Sequence, residues 1–194
     1  METLLSLAGL IALGAFTPGP NNVVVLDAGT RGGITAALPS IAGVVAGSLA
    51  MLALVAGGLS LAFAAPGVRT AIALAGAAYL AWLGVVLWRT SGTEAAARIM
   101  LPHGAAGLFA FQFANPKAWL LAATVAAAAP PGLAVFGLYA AIPAVSLLVW
   151  AGAGAALARW LESPAHRRRV DRASGVLLVA FAAWLMFETL AGSA

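Results

Sequence analysis

The sequence predicts an all-α integral membrane protein whose six transmembrane helices form two inverted three-helix repeats. Three observations lead there. The chain is 63% hydrophobic and 8% charged, whereas a soluble domain is roughly 45–50% apolar and 25% charged. Six apolar stretches approach or exceed the roughly 20 residues a helix needs to cross a hydrocarbon core. The first and fourth of them carry proline breaks beside asparagine at matching places.

Span one runs from Leu4 to Leu26 and is interrupted by Thr17-Pro18-Gly19-Pro20-Asn21-Asn22. No basic region precedes it, so it reads as a retained helix and not a cleaved signal. Thr30-Arg31-Gly32-Gly33 supplies the turn into span two, Leu38 to Ala62. There Gly43 and Gly47 make a small-xxx-small face suited to close helix packing. Pro66-Gly67 precedes span three, Thr70 to Trp88, and Ser91-Gly92 follows it. Span four, Ala105 to Ala129, is interrupted at Asn115-Pro116-Lys117. Pro130-Pro131-Gly132 leads into span five, Leu133 to Ala158, where Pro143 and Ser146 make a milder break. Ser163-Pro164 and a basic stretch precede span six, Ala173 to Leu190. The spans are too long for barrel strands and lack period-two alternation.

The whole chain, 1–194, reads as one transmembrane domain, since the charged stretch Arg159 to Arg172 is too short to fold alone. Pro20 and Pro116 lie 96 residues apart, about half the chain. Repeat one then covers about 1–95 and repeat two about 100–194. Three spans per half make the second half enter from the opposite side, the layout of an inverted repeat.

Orientation follows from basic residues in short loops. Loops one, three and five hold Arg31, Arg89, Arg98, Arg159, Arg167, Arg168, Arg169 and Arg172, eight of ten basic residues. The opposite side holds only Arg69, and Lys117 lies within span four. Loops one, three and five are therefore expected on the cytoplasmic side, with both termini outside. The net charge of +4 is this asymmetry, an anchor against anionic lipid that calls for no nucleic acid. Trp88 and Trp160 fit an aromatic belt at the inner interface. Zero cysteines exclude disulfides, Cys-ligated zinc and thiol chemistry. His103 and His166 read as loop residues without a metal-ligand cluster, and nothing calls for a cofactor.

Each break has a physical consequence. Proline removes a backbone donor and frees the carbonyl four residues back, here Phe16 and Gln112. Proline also suits the first turn of a new helix after a polar cap, an order found in Asn115-Pro116 and in Thr17-Pro18. Each break is expected to open a half-helix with free N–H groups and partial positive charge. Two such starts converging near mid-membrane suit a small carboxylate. The plain alternative is a pair of kinks, since prolines are common in membrane helices. Matched positions, the accompanying asparagines and one lysine favour a binding or gating role.

Lys117 is the sharpest residue. A lysine at the centre of a spanning helix costs about 2.5–3.5 kcal/mol on insertion scales, and nothing nearby in sequence neutralises it. It can pair with a substrate carboxylate, or give up its proton when the substrate leaves; otherwise it snorkels to the interface. Gln112, Asn115 and Trp119, spaced i, i+3, i+7, are expected to share a helix face lining the pathway. Of Asn21 and Asn22, one faces the cavity and the other ties helices together. Asp27, seven residues beyond Pro20, is a gate charge or proton carrier, or an interfacial carboxylate paired with Arg31. Glu188 reads as interfacial.

"TPGPNN" at 17–22, "GAAYLAWLG" at 76–84 and "NPKAW" at 115–119 resemble the LysE/RhtB family of amino-acid exporters. The likeness covers nearly the whole chain, including "TRGG" and "SGVLL". "AGAAYLAWL" looks most similar to the branch that exports cysteine and O-acetylserine. The resemblance implies a bacterial inner-membrane exporter of amino acids or their derivatives, driven by the proton gradient. It also implies that Pro18, Gly19, Pro20, Asn21, Asn115, Pro116 and Lys117 are the functional signature. One departure stands out: Ser48 occupies a place where many homoserine and threonine exporters of the family carry aspartate. Either Asp27 or Lys117 must then carry the proton, or coupling differs.

The expected activity is alternating-access export of a small neutral amino acid, with protons as the coupling ion and Asn21, Asn115, Lys117, Gln112 and Trp119 as substrate contacts. Pro18, Gly19, Pro20 and Pro116 are the gating breaks. A passive small-solute channel or a helical assembly factor is the rival reading. An intramembrane enzyme would need a nucleophile–base pair or metal ligands at depth. The sequence fixes neither the substrate nor the oligomeric state, and a homo-oligomer is compatible with it.

Overall fold

A computed structural model of the chain describes residues 2–59, 66–91, 102–130 and 132–191. Ala62, Gly92, Arg98 and Pro131, named above in the span and loop assignments, lie outside the described residues. All regular structure among the described residues is helical. In chain order the helices are α1 (Glu2–Phe16), α2 (Pro20–Leu54), α3 (Pro66–Arg89), α4 (Gly104–Ala114), α5 (Pro116–Ala128), α6 (Leu133–Leu157) and α7 (Pro164–Ala191). A π-turn, Val55–Leu59, extends α2, and a short 3-10 turn, Trp160–Glu162, precedes α7.

By length and composition, Pro20–Gly58, Leu133–Leu157 and Pro164–Ala191 can cross a membrane. Shorter apolar helices occupy Thr3–Phe16, Leu74–Arg89, Gly104–Ala114 and Lys117–Ala128. The exterior is apolar: Leu133 is 93% exposed, and Leu5, Leu13 and Phe187 stand out similarly. Polar Asn22, Ser48, Gln112, Asn115 and Ser146 are buried. That inversion suits a chain whose surroundings are lipid.

Proline and glycine decide where helices start and bend. Pro20, Pro116 and Pro164 each open a helix, preceded by extended Gly19 (φ −164°, ψ 178°), Asn115 (φ −94°, ψ 104°) and Ser163 (φ −70°, ψ 120°). Proline disfavours the helical region for the residue before it, which explains all three extended residues. The part of span one after its break and most of span two fall within α2, where two helices meet at a kink, Gly32 (φ −157°, ψ 24°) and Gly33 (φ 71°, ψ −168°). Gly33 takes the left-handed region that other residues adopt only with strain. The expected turn is therefore a two-residue non-helical kink at Gly32-Gly33. The last helix begins at Pro164 and not near Ala173, because the Ser163-Pro164 start signal carries the basic stretch into α7. His166 consequently sits in its first turn, stacked on Trp160 with ring centroids 4.1 Å apart, and is not a loop residue.

Glycines bring the helices to backbone contact. A Cβ on Gly29 would stand 2.3 Å from the Ala151 carbonyl oxygen, and one on Gly154 would stand 2.2 Å from that of Leu26. These pairs join the first part of α2 to α6. Beyond the kink, Gly43 meets the Ala105 carbonyl and Gly47 that of Phe109, joining α2 to α4. Gly84 and Gly175 each face the other's carbonyl, joining α3 to α7. One apolar core gathers Val24, Val25, Val44, Leu80, Leu108, Leu147 and Leu178. A second gathers Leu7, Ile11, Met51, Leu52, Val125 and Tyr139.

Candidate functional site

The two proline breaks adjoin the same hollow. It is lined by Gly14, Ala15, Gly19, Pro20, Asn21, Asn22, Val44, Ser48, Gln112, Asn115, Lys117, Ala118, Leu121, Tyr139, Pro143 and Leu147. Its volume is about 50 Å³, room for a few waters at roughly 10–15 Å³ each. Five helices supply the walls.

The first break leaves carbonyls at the end of α1 without helical partners. Three side chains from elsewhere satisfy them. Asn22 Nδ2 donates to Ala15 O at 3.1 Å and to Thr17 O at 3.2 Å. Ser146 Oγ, from α6, donates to Ala15 O at 2.9 Å. Lys117 Nζ, from α5, donates to Thr17 O at 2.6 Å. Thr17 turns its own hydroxyl back to Leu13 O. Thr17-Pro18 therefore closes α1, and the helix restarts at Gly19-Pro20. Asn22 ties α2 to the end of α1 and Asn21 ties α2 to α4, and both line the hollow, so the expected division of roles between them does not appear.

The partner of Lys117 is thus a helix C-terminus one hundred residues away in the chain. A helix end carries partial negative charge, which favours a cation there. This answers how an ammonium is held within an apolar span. Gly19 makes room for it: a Cβ there would stand 3.1 Å from Lys117 Nζ and 3.3 Å from its Cδ.

The second break is capped by its own residues. Asn115 Oδ1 accepts from Lys117 N at 3.2 Å. The Gln112 carbonyl freed by Pro116 accepts from Asn115 N at 3.1 Å. The α5 start is therefore occupied by its own cap. The α2 start has no side-chain cap, because Gly19 stands at the capping position. Only the first of the two expected half-helix starts is left uncapped.

Gln112 runs across the hollow. Its Nε2 donates to Val44 O at 3.3 Å and to Ser48 Oγ, while its Oε1 accepts from Asn21 Nδ2 at 2.7 Å. Gly47 faces the Gln112 stem, where any Cβ would clash at 2.8 Å. Asn21 Oδ1 is buried without a hydrogen-bond partner.

Trp119 does not join Gln112 and Asn115 on one face. The break at Asn115 interrupts the helical spacing, and the Trp119 indole donates instead to Phe113 O at 2.9 Å. Asp27 lies outside the hollow. It pairs with Arg31 at 2.8 Å and Arg167 at 3.6 Å, linking α2 to α7 beside a small cleft lined by Thr30, Leu87 and Ser174. Ser146 and Tyr139 were not among the sequence's site candidates. Their helix spacing gives no sign that α6 packs against the first break; the mild Pro143–Ser146 break was the only hint.

The sequence profile of the LysE type translocators matches residues 12–189. The chain is 36% identical over 106 residues to a cysteine/O-acetylserine efflux protein of Salmonella paratyphi A, 53% of each chain. It is also 36% identical over 113 residues to the protein of the same name from Escherichia coli K12, covering 57% of this chain and 56% of that one. The chain thus spans about half the length of the curated relatives it matches. No solved structure matches it. The profile match takes in both proline breaks, the hollow between them and nearly the full helical chain, and by it this protein belongs to the LysE type translocator family.

Proposed function

We propose that this protein exports small neutral amino acids or their derivatives across the bacterial inner membrane. The observation that carries the reading is the hollow where both proline breaks meet, with Lys117 in its wall. Family membership and the efflux activity in the relatives' names support it. A substrate carboxylate meets Lys117 and the uncapped α2 start. Its amino group meets the amides of Asn21 and Asn115.

We further propose six spans in two inverted repeats, with α1 and the first part of α2 forming span one and α4 with α5 forming span four. The cross-ties support this. Ser48 bonds Gln112 just before the second break, and Ser146 bonds Ala15 just before the first. Ser48 and Ser146 lie 98 residues apart and the two prolines 96. The glycine contacts exchange in the same way, span one with five and span two with four, while Gly84 and Gly175 are mutual. Rocking of the halves about this pseudo-axis provides alternating access. Protons drive the cycle, and Lys117 is the better carrier of the two candidates, since it lines the hollow and Asp27 does not. Both termini lie outside and the basic loops inside.

An efflux screen tests the function. Cells expressing the chain are loaded with amino acids, and release is compared with cells lacking it. Accelerated release of cysteine, O-acetylserine or a similar neutral amino acid is expected. Equal release of every amino acid tested contradicts the reading.

A further inference from the structure

We infer that Gln112 is a positioning residue that fixes the Asn21 carboxamide so that its unpaired Oδ1 stands as a buried acceptor in the wall of the hollow, reached by cargo as the site opens. The site then favours a ligand bearing a donor, an ammonium above a hydroxyl, at that point. This rests on the reading of the hollow as a cargo site.

Hydrogen-bond polarity carries the inference. The Val44 main-chain carbonyl can only accept, so the Gln112 atom 3.3 Å from it must be Nε2. Gln112 Oε1 is then turned to Asn21, where only a donor fits. Asn21 must present Nδ2, 2.7 Å away. Its Oδ1 is left over, and it is the buried oxygen without a partner. Rotating Asn21 by half a turn would set two oxygens against each other. Rotating Gln112 as well would set its oxygen against Val44 O. One backbone carbonyl thereby dictates the polarity of the chain through two side chains. Gln112 is seated against Gly47, and its amide is already paired, Nε2 with Val44 O and Ser48 Oγ and Oε1 with Asn21 Nδ2, so it acts through Asn21. An unpaired buried acceptor is costly, and a ligand donor relieves that cost.

Competition for cysteine counterflow in proteoliposomes tests this. The competitors are cysteine, 3-mercaptolactate and 3-mercaptopropionate, which place an ammonium, a hydroxyl and hydrogen at one carbon. The wild-type protein is expected to rank them in that order, with about tenfold or more between the extremes. Gln112→Met frees Asn21 to rotate and is expected to compress the range to about threefold or less. Asn21→Ala removes the acceptor and serves where Gln112→Met does not fold. A flat wild-type ranking overturns the inference, as does a ranking unchanged in both Gln112→Met and Asn21→Ala. Absence of counterflow by any amino acid in the wild type overturns the cargo-site reading itself.

Discussion

Lys117 Nζ lies 2.6 Å from the carbonyl oxygen of Thr17, so the residue after the second proline break closes the helix before the first. One ammonium thus joins two helix ends from opposite halves of the chain. A substrate carboxylate approaching Lys117 would compete with the Thr17 carbonyl for its protons. On the proposed function, that contact would couple occupancy of the hollow to the fit between α1 and α5.

The space beside Gly19 should matter as much as the lysine. A Cβ there enters at 3.1 Å from Nζ, and the extended backbone accepts any residue. Gly19→Val is expected to push Lys117 aside and lower export about tenfold or more, with folding little changed. Efflux rates normalised to inserted protein check this.

Helix packing at the glycine crossings gives a separate expectation. Gly29→Ala and Gly154→Ala each drive a methyl into a carbonyl oxygen. Overpacking of this kind costs about 1–3 kcal/mol, so both variants should melt several degrees lower in detergent. Gly137→Ala, with nothing within 4 Å of the new methyl and alanine the better helix former, should melt no lower than the wild type.

Asp27 bridges Arg31 and Arg167. A double-mutant cycle of Asp27→Asn and Arg167→Gln should show coupling of about 0.5–1 kcal/mol, reduced at high salt, because the pair is partly exposed. Denaturation midpoints of the four proteins measure it. Additive effects would show that α7 is not held to α2 through this pair.

The absence of cysteine makes the proposed orientation directly testable. Arg168→Cys in intact cells should resist a membrane-impermeant maleimide, and Gly132→Cys should react. The reverse pattern would invert the topology.

Much of the fold was legible because proline and glycine act locally. Pro20, Pro116 and Pro164 start helices, and Gly32-Gly33 bends one, each for reasons confined to its own neighbours. The signature residues Asn21, Asn115 and Lys117 stood out because polar groups in apolar runs are expensive. Partners were not legible, since Thr17 meets Lys117 across 100 residues and Ala15 meets Ser146 across 131. Trp119 was misplaced for a related reason: helical spacing was carried through a break that ends it. Asp27 was readable only as one of two roles, because Arg31 is local and Arg167 is not.

The most direct test of the central claim is amino-acid counterflow in proteoliposomes holding equal amounts of wild-type protein and Lys117→Met. Counterflow is expected in the first and its loss in the second, with both proteins inserted and folded. Undiminished counterflow in Lys117→Met would contradict the placement of the transport site at the meeting of the two breaks.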